Sequence, residues 1–128
     1  MADAFDWSQF LDVAAFCLNW QGASPSREAL DRTAVGRAYY AAFCTAAGIV
    51  RDKGWYIPRG VAEDHPRVRA ALRDNQCDRA AGFLKRLCDW RRICDYENSD
   101  GADFVAMASS AVQDARAAIR ELPSAGRW

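Results

Sequence analysis

The chain has few of the side chains that build metal centres. Its 128 residues include one histidine, His65, and no two of its five cysteines are spaced as C-x-x-C. Zinc sites in proteins consist mainly of clustered cysteine and histidine ligands. The sequence therefore predicts no metal site, and we expect no bound cofactor.

Long apolar runs and targeting signals are also missing from the sequence. No stretch approaches the ~20 apolar residues of a membrane-spanning helix, and the N-terminus has no basic region followed by an apolar core. We therefore expect a cytoplasmic protein with no membrane partner. The cysteines lie mostly at small, apolar helical positions, which favours reduced thiols in the core. They are Cys17, Cys44, Cys77, Cys88 and Cys94.

The chain carries no excess charge, because its 17 basic side chains are balanced by 17 acidic ones. This balance argues against a strongly nonspecific nucleic-acid binder. The distribution is uneven, however, and residues 51–100 carry eleven basic and nine acidic side chains. Fifteen of the basic residues are arginine, which suits bidentate phosphate contacts but is also typical of a GC-rich genome. A local basic cleft is compatible with this pattern.

Apolar residues recur with helical spacing through most of the sequence, and no segment shows sustained two-residue alternation. We predict an all-α protein with one domain, residues 1–128, and a core spanning about 6–122. Its expected architecture is an up-and-down four-helix bundle with one short additional helix. The predicted long helices cover about 6–20, 24–53, 77–96 and 102–122, and the short helix opens at 64.

Several local features complete this prediction. Asp6 with Gln9 resembles a capping box, and Ser24 followed by Pro25 is typical of a helix start. The first helix has one apolar stripe, made of Trp7, Phe10, Leu11, Ala14, Cys17 and Leu18. Trp55 and Tyr56 lie in the irregular connection 54–63, and these loop aromatics are interpreted as a cap on the core rather than as base-stacking groups. His65 is interpreted as a cap or surface residue rather than a catalytic base, and the outward residues of the short helix are expected to be Arg67, Arg69 and Arg73.

Arg91 breaks the pattern of the fourth helix. The buried face of that helix is predicted to contain Cys77, Ala80, Ala81, Leu84, Leu87 and Cys88. The next position on this stripe is Arg91, and a guanidinium is costly to bury without an anion. Asp95 follows one turn later and can serve as that anion. Two interpretations stay open: an ordinary ion pair closing the helix with Tyr96 packed over it, or an arginine facing a cleft.

Two segments resemble motifs of the HEPN superfamily. Residues 35–43 read VGRAYYAAF and are similar to its SRAYYAAF helix. Residues 87–96 read LCDWRRICDY and are similar to its L-x-x-x-R-x-x-A-D-Y segment. The order, the separation and the helical layout from about residue 6 to residue 122 agree with this resemblance.

The resemblance implies a HEPN-like helical domain that forms a homodimer and brings two copies of the arginine motif into one cleft. Many HEPN proteins are ribonucleases of toxin–antitoxin, phage-defence and CRISPR-linked systems. Others are encoded beside a minimal nucleotidyltransferase, and in some of these a tyrosine near the motif is modified with AMP. The usual ribonuclease pattern is R-x(4–6)-H, whereas this chain has an R-x4-Y pattern that ends at Tyr96.

The resemblance, together with the residues of the motif, leads to three candidate functions. In an RNA-targeting toxin or defence effector, a possible metal-independent endoribonuclease, Arg91 holds phosphate, Asp95 fixes Arg91, and Tyr96 orients or protonates the RNA. Arg92 and Arg37 would extend the positive cleft. The second function is a noncatalytic partner of a minimal nucleotidyltransferase, with Tyr96 as the AMP acceptor. The third is a helical interaction module of a defence complex.

Overall fold

Helices make up all the regular secondary structure of the computed structural model, which describes residues 5–98 and 101–124. A 3-10 turn, Trp7–Gln9, precedes the first helix. The helices are α1 (Phe10–Asn19), α2 (Arg27–Asp52), α3 (Asp64–Asp74), α4 (Asp78–Tyr96) and α5 (Phe104–Arg120). The predicted all-α class with five helices is confirmed, but α1, predicted to be long, has 10 residues and is as short as α3, which has 11. Within the described ranges, no helix is both long enough and apolar enough to cross a membrane.

Helix α2 is central to the resulting helical bundle. It packs against each of the other four helices, while α1 and α4 both pack against α5 and α3 packs mainly on α4. Alanine fills much of its buried surface and allows neighbouring backbones to approach closely. The fully buried residues of α2 are Ala34, Val35, Ala38, Tyr39, Ala41, Ala42, Ala46 and Val50.

The helix starts differ in detail from the prediction. The Ser26 side chain, not that of Ser24, caps α2 by accepting a hydrogen bond from the backbone N–H of Ala29 at 3.2 Å. Asp6 accepts the N–H of Ser8 at 3.0 Å and so caps the 3-10 turn. Because that turn is more tightly wound than an α-helix, α1 itself begins only at Phe10.

Two arginines of α2 hold the C-terminal ends of neighbouring helices. The last carbonyl groups of a helix have no partner within the helix. Arg27 donates to the carbonyl oxygens of Cys17, in the last turn of α1, and of Trp20, which follows α1. Arg32 donates from Nη1 to the carbonyl oxygens of Cys94 and Glu97, each at 2.9 Å. These bonds fix the ends of α1 and α4 against the central helix.

Asp64 organises the connection between α2 and α3. Its carboxylate accepts the Tyr56 hydroxyl at 2.6 Å and three backbone N–H groups at 2.8–3.2 Å. The three N–H groups belong to Arg59, Gly60 and Val61. The Tyr56 hydrogen bond, followed by the backbone bonds, lowers the pKa of Asp64 to about 2. Tyr56 and Trp55 pack against the core, as the sequence predicted for these loop aromatics.

The five cysteines are all free thiols in the structure. Cys17, Cys88 and Cys94 are buried, in agreement with the prediction of core thiols.

Candidate functional site around Arg91

Arg91 continues the buried face of α4. Leu84 and Leu87 are almost fully buried on this face, and Cys88 lies beside them. The Arg91 side chain is only 13% exposed, so α4 places a guanidinium where its own periodicity calls for a core residue.

Few acceptors surround this guanidinium. Arg91 Nη1 donates to the Tyr40 hydroxyl at 3.2 Å and lies 3.4 Å from Asp95 Oδ2, near the outer limit of a hydrogen bond. The guanidinium carbon is 5.4 Å and 5.5 Å from the ring centres of Tyr39 and Tyr40. Arg91 Nε is buried and has no hydrogen-bond partner among the residues that the structure describes. A buried donor without an acceptor is unfavourable by about 1–3 kcal/mol.

The ion pair with Asp95 confirms the predicted one-turn spacing. Asp95 also approaches α2, where a Cβ atom added at Gly36 would lie 4.0 Å from Asp95 Oδ1. A long side chain at that position would displace the carboxylate. The absence of a side chain at Gly36 therefore leaves room for Asp95 beside Arg91.

His65 joins the same group of side chains from α3. Its Nδ1 forms a hydrogen bond with the Tyr39 hydroxyl, and its ring stacks on Phe43 with a 4.3 Å centroid separation. The interpretation of His65 as a cap or surface residue was therefore wrong. The sequence did contain a signal, because His65 precedes the buried Val68 and Leu72 by three and seven residues. That spacing places it on the inner stripe of α3.

Arg69 lies one helical turn after His65 and also turns inward. Its Nη1 is buried and finds no hydrogen-bond partner within residues 5–98 and 101–124. The prediction that all three arginines of α3 face outward was therefore wrong for Arg69, although Arg67 and Arg73 are exposed. Arg69 was missed because an arginine beside apolar positions normally turns its charge to solvent.

The two inward arginines alter the acid–base chemistry of this group. Burial, followed by the charges of Arg91 and Arg69, lowers the pKa of His65 below its ordinary value of 6.5, against a smaller opposing effect of Asp64. Burial, followed by Cys88, raises the pKa of Tyr39 well above its ordinary value. At neutral pH the imidazole is therefore uncharged and the phenol keeps its proton.

Arg37 extends the positive charge along α2. Its guanidinium carbon lies 5.5 Å from the centre of the Tyr40 ring and 4.9 Å from that of Phe10. The Tyr40 ring thus contacts two guanidinium groups, those of Arg37 and Arg91, and each contact is a cation–π interaction.

The remaining predicted site residues stand apart. The Tyr96 ring is 75% exposed at the end of α4, and Arg92 is exposed one position after Arg91. In the part of the chain that the structure describes, neither side chain makes a hydrogen bond or an ion pair. The structure thus groups Arg91, Asp95 and Arg37, and adds His65 and Arg69 to them.

The donor set of this site suits an anion rather than a metal ion. Guanidinium groups supply only donors, whereas a cation needs carboxylate, thiolate or imidazole ligands. Over residues 5–98 and 101–124, no three histidine, cysteine, aspartate or glutamate side chains are placed to hold a metal ion. Comparisons with protein-family models, with curated proteins and with solved structures found no match to this chain.

Proposed function

We propose that this protein is an RNA-targeting toxin or defence effector with a HEPN-like four-helix bundle, and that it cleaves RNA without a metal ion. The observation that carries the proposal is the pair of inward arginines, each with a buried N–H that has no acceptor. Both lie close enough to His65 to lower its pKa. Two unsatisfied guanidinium groups beside a neutral imidazole form a site for a phosphodiester and for proton transfer at that phosphodiester.

Arg91 is the phosphate-binding residue in this proposal. Its two contacts are long, and Asp95 itself is half exposed, so a phosphate oxygen competes well for the guanidinium. Arg69 adds a second positive charge from α3. Together the two arginines stabilise the extra negative charge of a phosphorane, in which phosphorus has five oxygen neighbours.

His65 supplies the base that the R-x4-Y motif lacks. When Nδ1–H donates to the Tyr39 hydroxyl, Nε2 is unprotonated and accepts the proton of the RNA 2′-hydroxyl. The 2′ oxygen then bonds to phosphorus while the bond from phosphorus to the 5′ oxygen breaks. The leaving 5′ oxygen takes a proton from water, and the products are a 2′,3′-cyclic phosphate and a 5′-hydroxyl end.

A homodimer completes the proposal. The HEPN resemblance implies that two copies of the Arg91 motif face one cleft, and a pair of such sites would hold successive phosphates of one strand. Sedimentation of the purified chain at micromolar concentration is expected to give twice the mass of the monomer. A monomer at that concentration would remove the shared cleft.

The test uses purified full-length protein, total RNA and tRNA in the presence of EDTA. Wild type is expected to produce fragments that carry 2′,3′-cyclic phosphate ends. Arg91→Ala and His65→Asn are expected to produce none, and Arg73→Ala, which alters an exposed arginine of α3, is the matched control. Cleavage that is equal in wild type and Arg91→Ala, or absent from wild type, would contradict the proposal.

A second function is favoured by one observation, the 75% exposure of Tyr96. A hydroxyl at an exposed helix end is accessible to another enzyme, so Tyr96 fits an AMP acceptor in a complex with a minimal nucleotidyltransferase. Mass spectrometry after incubation with such an enzyme and ATP is expected to show one adenylyl group on Tyr96. Tyr96→Phe is the negative control. If the wild-type protein also carries no adduct, the acceptor function is contradicted and only the RNA function remains.

A further inference from the structure

A group of exposed aromatic rings lies at the N-terminal end of the described chain. The ring centres of Phe5, Trp7 and Phe10 are 4.9–5.7 Å apart, and Phe5 and Trp7 are 49% and 41% exposed. The sequence placed Trp7 on the buried stripe of the first helix, and this was wrong. The 3-10 turn changes the rotation per residue, so Trp7 leaves that stripe.

A cleft of about 360 Å³ opens between these rings and the C-terminal half of α2. Phe5 and Trp7 form one wall, Cys44 and Gly48 of α2 form the other, and Pro58 closes one side. Its volume lies in the range of about 300–1,000 Å³ typical of small-molecule sites, and such sites are mainly apolar with a few polar groups. The lining also contains Asp6, Arg51 and Asp52, so a planar aromatic group with polar edges fits both the size and the lining.

The cleft and the Arg91 site both lie along α2. Gly36, Tyr40, Cys44 and Gly48 are spaced by four residues and form a row that turns by about 40° around the helix at each step. Asp95 approaches this row at Gly36, and the Tyr40 ring contacts the Arg91 and Arg37 guanidinium groups. From Gly36 to Gly48 the helix rises roughly 18 Å, which is 12 residues at ~1.5 Å each.

Arg37 lies between the aromatic group and the Arg91 site. Its guanidinium lies on the Phe10 ring of the aromatic group and on Tyr40 of the Arg91 site. It also acts on Cys44, since burial raises the pKa of that thiol and Arg37 opposes the shift. Positive charge therefore lies between the exposed rings and the Arg91 guanidinium.

We propose that the cleft binds a nucleobase of the same single-stranded RNA whose phosphate lies at Arg91. The base stacks on Trp7 and Phe5 and enters toward Gly48, while Arg37 holds the intervening phosphate. This inference rests on the proposed function, because it assigns the Arg91 site to RNA. Stacking on aromatic side chains beside a basic groove is the general way in which proteins bind single strands.

The Arg37 guanidinium beside the aromatic group favours RNA over an apolar partner. A second exposed aromatic pair, Phe16 and Trp20, has ring centres 5.9 Å apart. In the described part of the chain no guanidinium lies over either of these rings. The Phe5–Trp7 pair differs in having Arg37 at its edge and a cleft beside it, so only this pair is suited to a base attached to a phosphate.

The experiment measures binding of a fluorescein-labelled eight-nucleotide 2′-O-methyl oligoadenylate, which lacks the 2′-hydroxyl that cleavage needs, by fluorescence anisotropy in EDTA and at several salt concentrations. The double variant Phe5→Ala/Trp7→Ala is expected to weaken binding by about tenfold or more, since each stacked base contributes strongly. Its salt dependence is expected to match that of wild type, because no phosphate contact is removed. The matched control, Phe16→Ala/Trp20→Ala, is expected to bind like wild type.

A second variant blocks the cleft without removing any aromatic ring. At Gly48 the nearest atom to an added Cβ is Arg51 Nη2, at 3.9 Å, so a side chain fits there without a clash. Gly48→Met is expected to keep the wild-type melting temperature or raise it, since glycine is a poor helix former. It is expected to weaken oligoadenylate binding to a similar extent as the double variant.

The outcomes separate this inference from the proposed function. Wild-type affinity in both cleft variants overturns the base site, and a reduced salt dependence in Arg91→Ala would still support a phosphate at Arg91. Conversely, unchanged affinity and salt dependence in Arg37→Ala and Arg91→Ala would overturn the phosphate site and the single RNA path with it. If Phe5→Ala/Trp7→Ala instead separates a dimer, the rings form a subunit contact and the inference fails.

Discussion

Arg32 and Arg91 are both drawn into the helical bundle, but they differ in how their donors are used. Arg32 bonds to Glu28 at 3.0 Å and to two carbonyl oxygens at 2.9 Å, and its guanidinium lies 4.2 Å from the centre of the Phe104 ring. Arg91 has two long contacts and one buried nitrogen without an acceptor. A guanidinium with short bonds to its own fold stabilises that fold, whereas one with unsatisfied donors is available to a ligand.

The two arginines are also connected through α4. The carbonyl groups that Arg32 binds, those of Cys94 and Glu97, flank Asp95 in the chain. Arg32 therefore fixes the helix end that carries the carboxylate of the Arg91 site. The comparison teaches that an arginine whose donors have acceptors holds the fold around the site. In the proposed function, an arginine with a donor that lacks an acceptor binds the phosphate.

The largest effect is expected at Arg91. Arg91→Lys keeps the charge but loses the planar fork that binds phosphate, so RNA cleavage is expected to fall about 100- to 1,000-fold. The free energy of unfolding is expected to stay within about 1 kcal/mol of wild type, because a poorly paired buried charge contributes little stability. Cleavage assays and urea denaturation of the same preparation measure both quantities. A large stability loss with intact cleavage would reverse the comparison.

The converse substitution, Arg32→Ala, tests the structural arginine. Two helix-end carbonyl groups and Glu28 lose their partner, so the free energy of unfolding is expected to fall by about 1–3 kcal/mol. Oligoadenylate affinity is expected to fall much less than in Arg91→Ala when both are measured well below the melting temperature. Wild-type stability in Arg32→Ala would show that solvent replaces these bonds.

Two aspartates extend the comparison to the negative side chains. Asp64 accepts four donors, whereas Asp95 has one long contact. Asp64→Asn is expected to lower the melting temperature, and Asp95→Asn is expected to leave it nearly unchanged.

The pKa of Asp64 is about 2 in the folded state and 3.8 ordinarily. Its stabilising contribution is therefore complete above the ordinary pKa and is lost as pH falls toward about 2. Thermal melts from pH 6 to pH 2 of wild type and Asp64→Asn measure this contribution, which is contradicted if both lose stability equally.

Arg69 gives a smaller and more specific prediction. Since its charge lowers the pKa of His65, Arg69→Met is expected to raise that pKa toward its ordinary value. The chain has one histidine, so the imidazole proton signals in an NMR titration belong to His65 alone. Cleavage that needs the neutral imidazole is lost as pH falls through this pKa, so its acid limb is expected to move to higher pH in Arg69→Met. An unshifted titration would place Arg69 outside the site.

The smallest effect is expected at Tyr96. Because the side chain is exposed and makes no hydrogen bond within the described residues, Tyr96→Phe is expected to change stability by less than about 0.5 kcal/mol. It is also expected to leave RNA cleavage close to wild type. Loss of cleavage in this variant would restore the role that the R-x4-Y motif predicted for Tyr96, and would argue that His65 is not the base.

Helical periodicity was enough to predict the helices and part of the site. The inner face of α4 and the Arg91–Asp95 pair follow from rotation along a single helix, which is a local property. Local rules were less successful where the backbone departs from an α-helix, as at the 3-10 turn that turns Trp7 outward. The loop aromatics were predicted correctly because bulky apolar rings find enough area to bury only against the core.

By itself, the sequence determined that the chain folds into helices, that α4 turns Arg91 inward, and that Asp95 lies one turn from it. Only the tertiary structure decided that His65 and Arg69 meet Arg91 around Tyr39, and that Arg37 links this group to a cleft beside Trp7. These contacts join α2, α3, α4 and the N-terminal turn, and they depend on how the helices cross. Crossing geometry arises from the packing of many side chains at once, so no spacing within one segment encodes it.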